Sequence, residues 1–337
     1  MRENTSTEWV NKEVDSEGNF NRQKNQFETP FGEGEGKLPV EPGRYRLLWA
    51  PVCPWAHRSV IVRRLLGLED VISLGTADPK RPDVPRSDWA FTLDEGDVDP
   101  VLGIHYISEA YLAANPDYTG RFTVPALVDI PSGKVVNNDY FNLTLYFETA
   151  WKPYHKEGAP DLYPEDLREE IDKLNDIIFR EVNNGVYKAG FARKQKAYDR
   201  AYNMVFNRLD WLEERLANQR YLFGDRLTES DVRLYVTLVR FDCAYYPVFR
   251  LNKKLLRDYP NLWAYARDLY QIPAFRHNTY FKDFAASEDL THAPEDYWEN
   301  VYYDIVVQET DWDTIWSQPT GREALSKDPA HKWKAEI

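Results

Sequence analysis

Residues 44–58 read RYRLLWAPVCPWAHR, and the order of signals in this stretch decides the fold. An apolar run over 44–50 predicts a buried strand that closes at Pro51. Pro54 then suits the first turn of a helix, where no backbone N–H is needed. Val60, Ile61, Leu65 and Leu66 continue that helix until Gly67 stops it. A second short strand over 71–74 completes a βαβ start.

Working outward, residues 77–105 are rich in Pro, Asp and Gly and read as an irregular insertion ahead of a helix over 106–114. Residues 122–130 carry the next strand signal, Pro131-Ser132-Gly133 a turn, and 134–136 its hairpin partner. Pro125 inside that signal requires either an edge position or a cis Val124-Pro125 bond in a tight turn. A helix over 139–151 closes the unit. From Pro164 the pattern is helical: Leu167, Ile171, Leu174, Ile178 and Val182 recur three and four apart and are expected to stop at Asn183-Asn184-Gly185. Met204, Val205, Leu209, Leu212 and Leu216 mark another helix. Thr228-Glu229-Ser230-Asp231 matches a capping box, and 261–270 gives a further helix before Pro273.

The expected fold class is therefore an α/β thioredoxin-like N-terminal domain followed by an all-α C-terminal domain. The expected divisions are an extended arm over 1–40, the α/β domain over 41–155, and the helical domain with a C-terminal tail over 156–337. The arm contains Gly32-Glu33-Gly34-Glu35-Gly36, whose carboxylates would repel a phosphate, so it reads as a linker. Phe20, Phe27 and Phe31 are candidates to pin it to the body.

A formal net charge of −13 argues against nucleic acid and anionic membranes as partners. The first 20 residues lack an apolar leader and no run approaches a membrane span, which leads to the expectation of a cytoplasmic protein. Two cysteines, Cys53 and Cys243, cannot build a disulfide framework. The pair Cys53 and His57 would need distant ligands to hold a metal, so no metal is expected.

Cys53 sits at the N-terminal end of the first helix, where unpaired N–H groups and the helix dipole favour a thiolate. His57 and Arg58, one turn on, are expected to add positive charge. With Ala56 where a dithiol motif has its second cysteine, a mixed disulfide on Cys53 must be resolved by an external thiol. Cys243, near the end of a helical run, reads as packing.

Several motifs in order then carry a family resemblance from about residue 18 to about residue 283: Cys53-Pro54-Trp55-Ala56-His57-Arg58, Trp89 with Phe91, Tyr118-Thr119-Gly120-Arg121-Phe122-Thr123-Val124-Pro125, Asn183-Asn184-Gly185-Val186-Tyr187, and Tyr221-Leu222-Phe223-Gly224-Asp225. The chain resembles the xi class of glutathione transferases, the glutathionyl-hydroquinone reductases. That resemblance implies a homodimer and glutathione as co-substrate. It also implies a reaction in which Cys53 takes the thiol from a quinol adduct. Trp89 would stack on the thiol, Arg121 would contact a carboxylate, the Val124 backbone would pair with the cysteinyl part, and Asp139 would hold an amino group. Tyr187 and Tyr245 would line the quinol pocket. Where the family reads Glu-Ser, this chain has Asp139-Tyr140, which leaves another low-molecular-weight thiol open. A general dethiolating or dehydroascorbate-type reductase and a non-catalytic ligand-binding protein are the alternatives.

Overall fold

The computed structural model describes residues 12–80, 88–285 and 310–326. The tail aromatics Tyr297, Trp298, Tyr302 and Tyr303 lie outside them. Strand β1 (Tyr45–Trp49) is buried along its whole length and is central in a four-stranded sheet of order β2-β1-β3-β4. Helix α1 (Pro54–Leu65) follows, then β2 (Ile72–Thr76), which pairs parallel to β1. After α2 (Ile107–Ala114), β3 (Ala126–Asp129) and β4 (Lys134–Asn137) add antiparallel strands on the other side. This mixed sheet is the thioredoxin-like arrangement expected from the order of strand and helix signals.

Strand β3 is shorter than the apolar run suggests, because it begins only after Pro125, which has no N–H to give to the ladder; the Val124-Pro125 bond is cis. Helix α3 (Leu143–Glu148) starts four residues later than its sequence signal. The cause is Asp139, whose Oδ1 accepts the N–H groups of Phe141 and Asn142 and so holds residues 139–142 as a turn.

The helical part comprises α4 (Arg168–Ile178), α5 (Gly185–Gly190), the long α6 (Gln195–Arg215), α7 (Glu229–Leu238) and α8 (Pro260–Tyr270). Short helices α9 (Pro273–Arg276), α10 (Phe281–Phe284) and α11 (Trp312–Trp316) follow. Asn183-Asn184-Gly185 does not stop the chain as expected. Residues Phe179–Asn183 form a π-helical turn that leads into α5. Buried Asn183 donates through Nδ2 to the Arg233 carbonyl at 2.8 Å and to Thr237 Oγ1 at 2.7 Å, so its polarity is satisfied inside a helix interface. Gly185 lets α5 pack closely against α6, since a Cβ there would meet Val205 at 3.0 Å.

The capping box is present. Thr228 N–H donates to Asp231 Oδ2 at 2.8 Å, while Leu222 N–H and the Tyr265 hydroxyl both reach Asp231 Oδ1. Helix α1 is buried between the sheet and α7. A polar cluster ties the two layers: Glu229 accepts from Thr144 and Asn175, pairs with Arg233, and faces Arg58 at 4.0 Å. Trp316 docks the described part of the tail onto Tyr270, Phe281 and Trp263.

The arm is part of this body. Phe20 and Phe31 are buried, Glu28 bridges to Asn137 beside β4, and the Phe27 carbonyl accepts from Asn138 at 2.8 Å. That pairing covers the open edge of the sheet. Among the described residues, no helix is long and apolar enough to cross a membrane.

Candidate active site

Helix α1 begins with Cys53 as its N-cap in extended conformation and Pro54 as its first residue. A strand that ends at Trp49 and a proline that starts a helix leave Cys53 at the junction, where the first-turn N–H groups lack helical partners. Its Sγ lies 3.4 Å from the Val124 carbonyl, just before the cis proline. That hydrogen bond requires the protonated thiol; the helix end favours the thiolate.

Around the sulfur lies a cleft of about 200 Å³, lined by Arg22, Gln23, Asn25, Val52, Cys53, Trp55, Trp89, Arg121, Thr123, Val124, Tyr140 and Tyr187, with Pro54 and Phe191 at its margins. Of the residues singled out in the sequence, Cys53, Trp89, Arg121, Val124, Tyr140 and Tyr187 meet here. Two wider surface depressions, one beside α6 and one under the Gly-rich part of the arm, hold no cysteine or histidine.

Asp139 and Tyr245 lie behind the wall. Asp139 is buried, and besides the two N–H groups its carboxylate takes Asn142 Nδ2 at 2.7 Å and Asn25 Nδ2 at 3.4 Å. The Tyr245 hydroxyl, behind the lining, is 3.3 Å from that of Tyr187. Tyr140 packs on Trp55 with ring centroids 5.0 Å apart. Burial raises both phenols, Tyr187 and Tyr245, so they are neutral hydrogen-bonding groups.

The positive charge expected from His57 and Arg58 is directed elsewhere. His57 is fully buried, and its Nδ1 faces Arg240 Nη1 at 2.9 Å. Arginine can only donate, so Nδ1 accepts and the ring is neutral. Burial and the Arg240 charge hold its pKa well below the usual value. Arg58 faces Glu229 and the Phe141 carbonyl at the interface with the helical layer. His57 and Arg240 instead shape the nucleophile loop, because Arg240 Nη2 donates to the Pro51 carbonyl at 2.9 Å. Cys243 is buried with its thiol pushed up to about 12, which leaves it inert as a nucleophile.

The arm residues of the cleft were not legible as site residues. Gln23 Oε1 accepts the Arg121 N–H at 2.7 Å, and Glu13 Oε1 pairs with the Arg121 guanidinium at 2.8 Å. Arg22 stacks over Trp55 and Tyr187 at 4.6 and 4.8 Å. The signal that could have found them is the aromatic spacing of Phe20, Phe27 and Phe31, which marks a docked segment without saying where it docks.

Residues 52–150 match the glutathione S-transferase N-terminal domain and residues 195–268 the glutathione S-transferase C-terminal domain. The glutathionyl-hydroquinone reductase PcpF of Sphingobium chlorophenolicum is 40% identical, with 73% of this chain and 77% of that protein covered. Among solved structures, the glutathione-S-transferase Xi from Phanerochaete chrysosporium is 41% identical with a TM-score of 0.75, covering 80% of this chain and 87% of that one. Glutathione-bound YqjG, a glutathione transferase homolog from Escherichia coli K-12, is 37% identical with a TM-score of 0.74, covering 88% and 93%.

Proposed function

This chain belongs to the glutathione S-transferase family, in the xi class with the glutathionyl-hydroquinone reductases, and from that premise we propose that it reduces thiol adducts of hydroquinones through Cys53. The observation that carries this reading is a single cysteine at a helix N-terminus, opening onto a cleft walled by Trp55, Trp89, Tyr140 and Tyr187.

The reaction balances with one external thiol. The Cys53 thiolate attacks the sulfur of the adduct's keto tautomer, an S–S bond forms, and the C–S bond breaks with its electron pair passing into the ring, whose oxygen gains a proton so that the ring leaves as hydroquinone. A second thiol attacks the external sulfur of the mixed disulfide and releases Cys53 as thiolate. The adduct is reduced by two electrons and two small thiols become one disulfide. The aromatic walls hold the planar ring, and the thiol's carboxylate exchanges with Glu13 on Arg121. The Val124 backbone faces the cysteinyl part. Glutathione is the co-substrate in this reading; with Asp139 enclosed by hydrogen bonds and Tyr140 in place of a small hydroxyl, the γ-glutamyl end is held less tightly than its sulfur. A homodimer joined through the helical layer and a cytoplasmic location complete the proposal, with Arg22, Gln23 and Asn25 of the arm forming part of the wall of the site.

Turnover of glutathionyl-hydroquinone with glutathione, followed as hydroquinone release, tests this: wild type and Cys243→Ala turn over, and Cys53→Ala does not. Activity retained in Cys53→Ala would overturn it. A thermal-shift comparison of glutathione, γ-glutamylcysteine, mycothiol and bacillithiol identifies the thiol, since binding to the folded state raises the melting point.

A further inference from the structure

Arg22 is carried into the cleft by the arm and held there in an unusual setting. Its guanidinium lies over the rings of Trp55 at 4.6 Å, Tyr187 at 4.8 Å and Phe20 at 5.4 Å. Nε donates to Asn184 Oδ1 at 2.9 Å, which fixes the plane of the group. One terminal nitrogen, Nη2, is buried without a hydrogen-bond partner among the described residues, and none of their carboxylates forms an ion pair with this arginine. The nearby acid of the arm, Glu13, is engaged by Arg121. A buried, unpartnered donor on a cation is costly unless a ligand completes it. The guanidinium lies over the Tyr187 ring in the cleft that Cys53 also lines, and the Tyr187 hydroxyl contacts that of Tyr245 at 3.3 Å.

The proposed reaction places a negative charge where such a group would serve. In the keto tautomer of the adduct, the phenolic proton has moved to the carbon that bears sulfur. When the Cys53 thiolate takes that sulfur, the C–S electron pair flows into the ring, aromaticity returns, and the charge arrives on the former keto oxygen as a phenolate. That oxygen then takes a proton from solvent, which balances the proton lost when the thiol ionised.

We propose that Arg22, whose guanidinium lies over the Tyr187 ring in the cleft that holds Cys53, is a catalytic residue that binds the ring oxygen of the departing hydroquinone through Nη2 and stabilises its phenolate. This role rests on the function proposed above. Preorganised donors aimed at an emerging oxyanion act strongly in a water-poor cleft, and losing one costs about 10²–10³ in kcat.

The test is a series of glutathionylated hydroquinones whose phenol acidity is varied by ring chlorination, assayed with wild type, Arg22→Gln and Arg22→Lys. The glutamine variant should lose about 100-fold in kcat on the least acidic phenol and progressively less as acidity rises, because a good leaving group needs less help. The lysine variant should lie between. Iodoacetamide alkylation of Cys53 should be unchanged in both, which separates loss of the oxyanion donor from damage to the nucleophile. A loss in Arg22→Gln that is uniform across the series, or no loss, would overturn the role of Arg22 while leaving the proposed function intact. A wild type that alkylates normally at Cys53 yet turns over no adduct would overturn the proposed function and this role with it.

Discussion

Arg240→Met removes the side chain that connects the helical layer to the nucleophile loop. In the native protein Arg240 donates to His57 Nδ1 at 2.9 Å, the Val236 carbonyl at 3.0 Å and the Pro51 carbonyl at 2.9 Å, with its guanidinium 4.1 Å from the centre of the Phe284 ring. Methionine fills much of the same volume but donates nothing. The Pro51 carbonyl then becomes a buried acceptor without a donor, at a cost of about 1–3 kcal/mol. His57 Nδ1 loses its donor in the same change, and relief of the buried charge offsets part of the cost. The expected net loss is about 2–4 kcal/mol, read as a lower urea midpoint at unchanged slope. Pro51 lies two residues before Cys53, so the alkylation rate of Cys53 should change in the same variant. An unfolding free energy within about 0.5 kcal/mol of wild type, together with an unaltered alkylation rate, would refute the idea that Arg240 positions the loop.

The two cysteines should differ sharply in reactivity. Burial pushes the Cys243 thiol up to about 12, so it carries almost no thiolate at pH 7, whereas Cys53 sits at a helix N-terminus on an open cleft; iodoacetamide should favour Cys53 by about 10³, and comparable rates by peptide mass mapping would contradict this. Burial beside Glu229 raises Glu148 well above the usual carboxylate value, and among the described residues neither of its oxygens has a hydrogen-bond partner. The folded state therefore holds a proton that the unfolded state releases near pH 4.5, and stability falls as pH rises from there toward the folded value. Glu148→Gln removes that dependence, so its melting point should gain on wild type between pH 5 and pH 8; a constant difference would refute the assignment. Glu13→Gln withdraws the arm's carboxylate from Arg121 and should lower the KM for the thiol severalfold with little change in kcat, and a raised KM would show that Glu13 supports binding rather than competing with it.

Local chemistry made much of the fold legible. The strand–proline–cysteine–proline order of residues 44–58 and the Thr228–Asp231 capping box act within a few residues, so the chain declares them without help from tertiary contacts. Asn183-Asn184-Gly185 misled because its asparagine and glycine resemble a stop, while their burial against α6 and α7 is set by residues distant in sequence. His57 misled for the same reason: its neighbour in space is Arg240, 183 positions away. The thiol and its aromatic surroundings could be named from motifs, but Arg22, Gln23 and Asn25 could not, since an arm's docking site is a tertiary property.

The central claim, a mixed disulfide on Cys53, is tested most directly by a single-turnover reaction of the full chain with glutathionyl-hydroquinone in the absence of other thiols, analysed by peptide mass. The predicted result is one glutathionyl group on the Cys53 peptide, one equivalent of hydroquinone released, and removal of the adduct when glutathione is added. Hydroquinone released with Cys53 unmodified, or the adduct found on Cys243, would contradict the account.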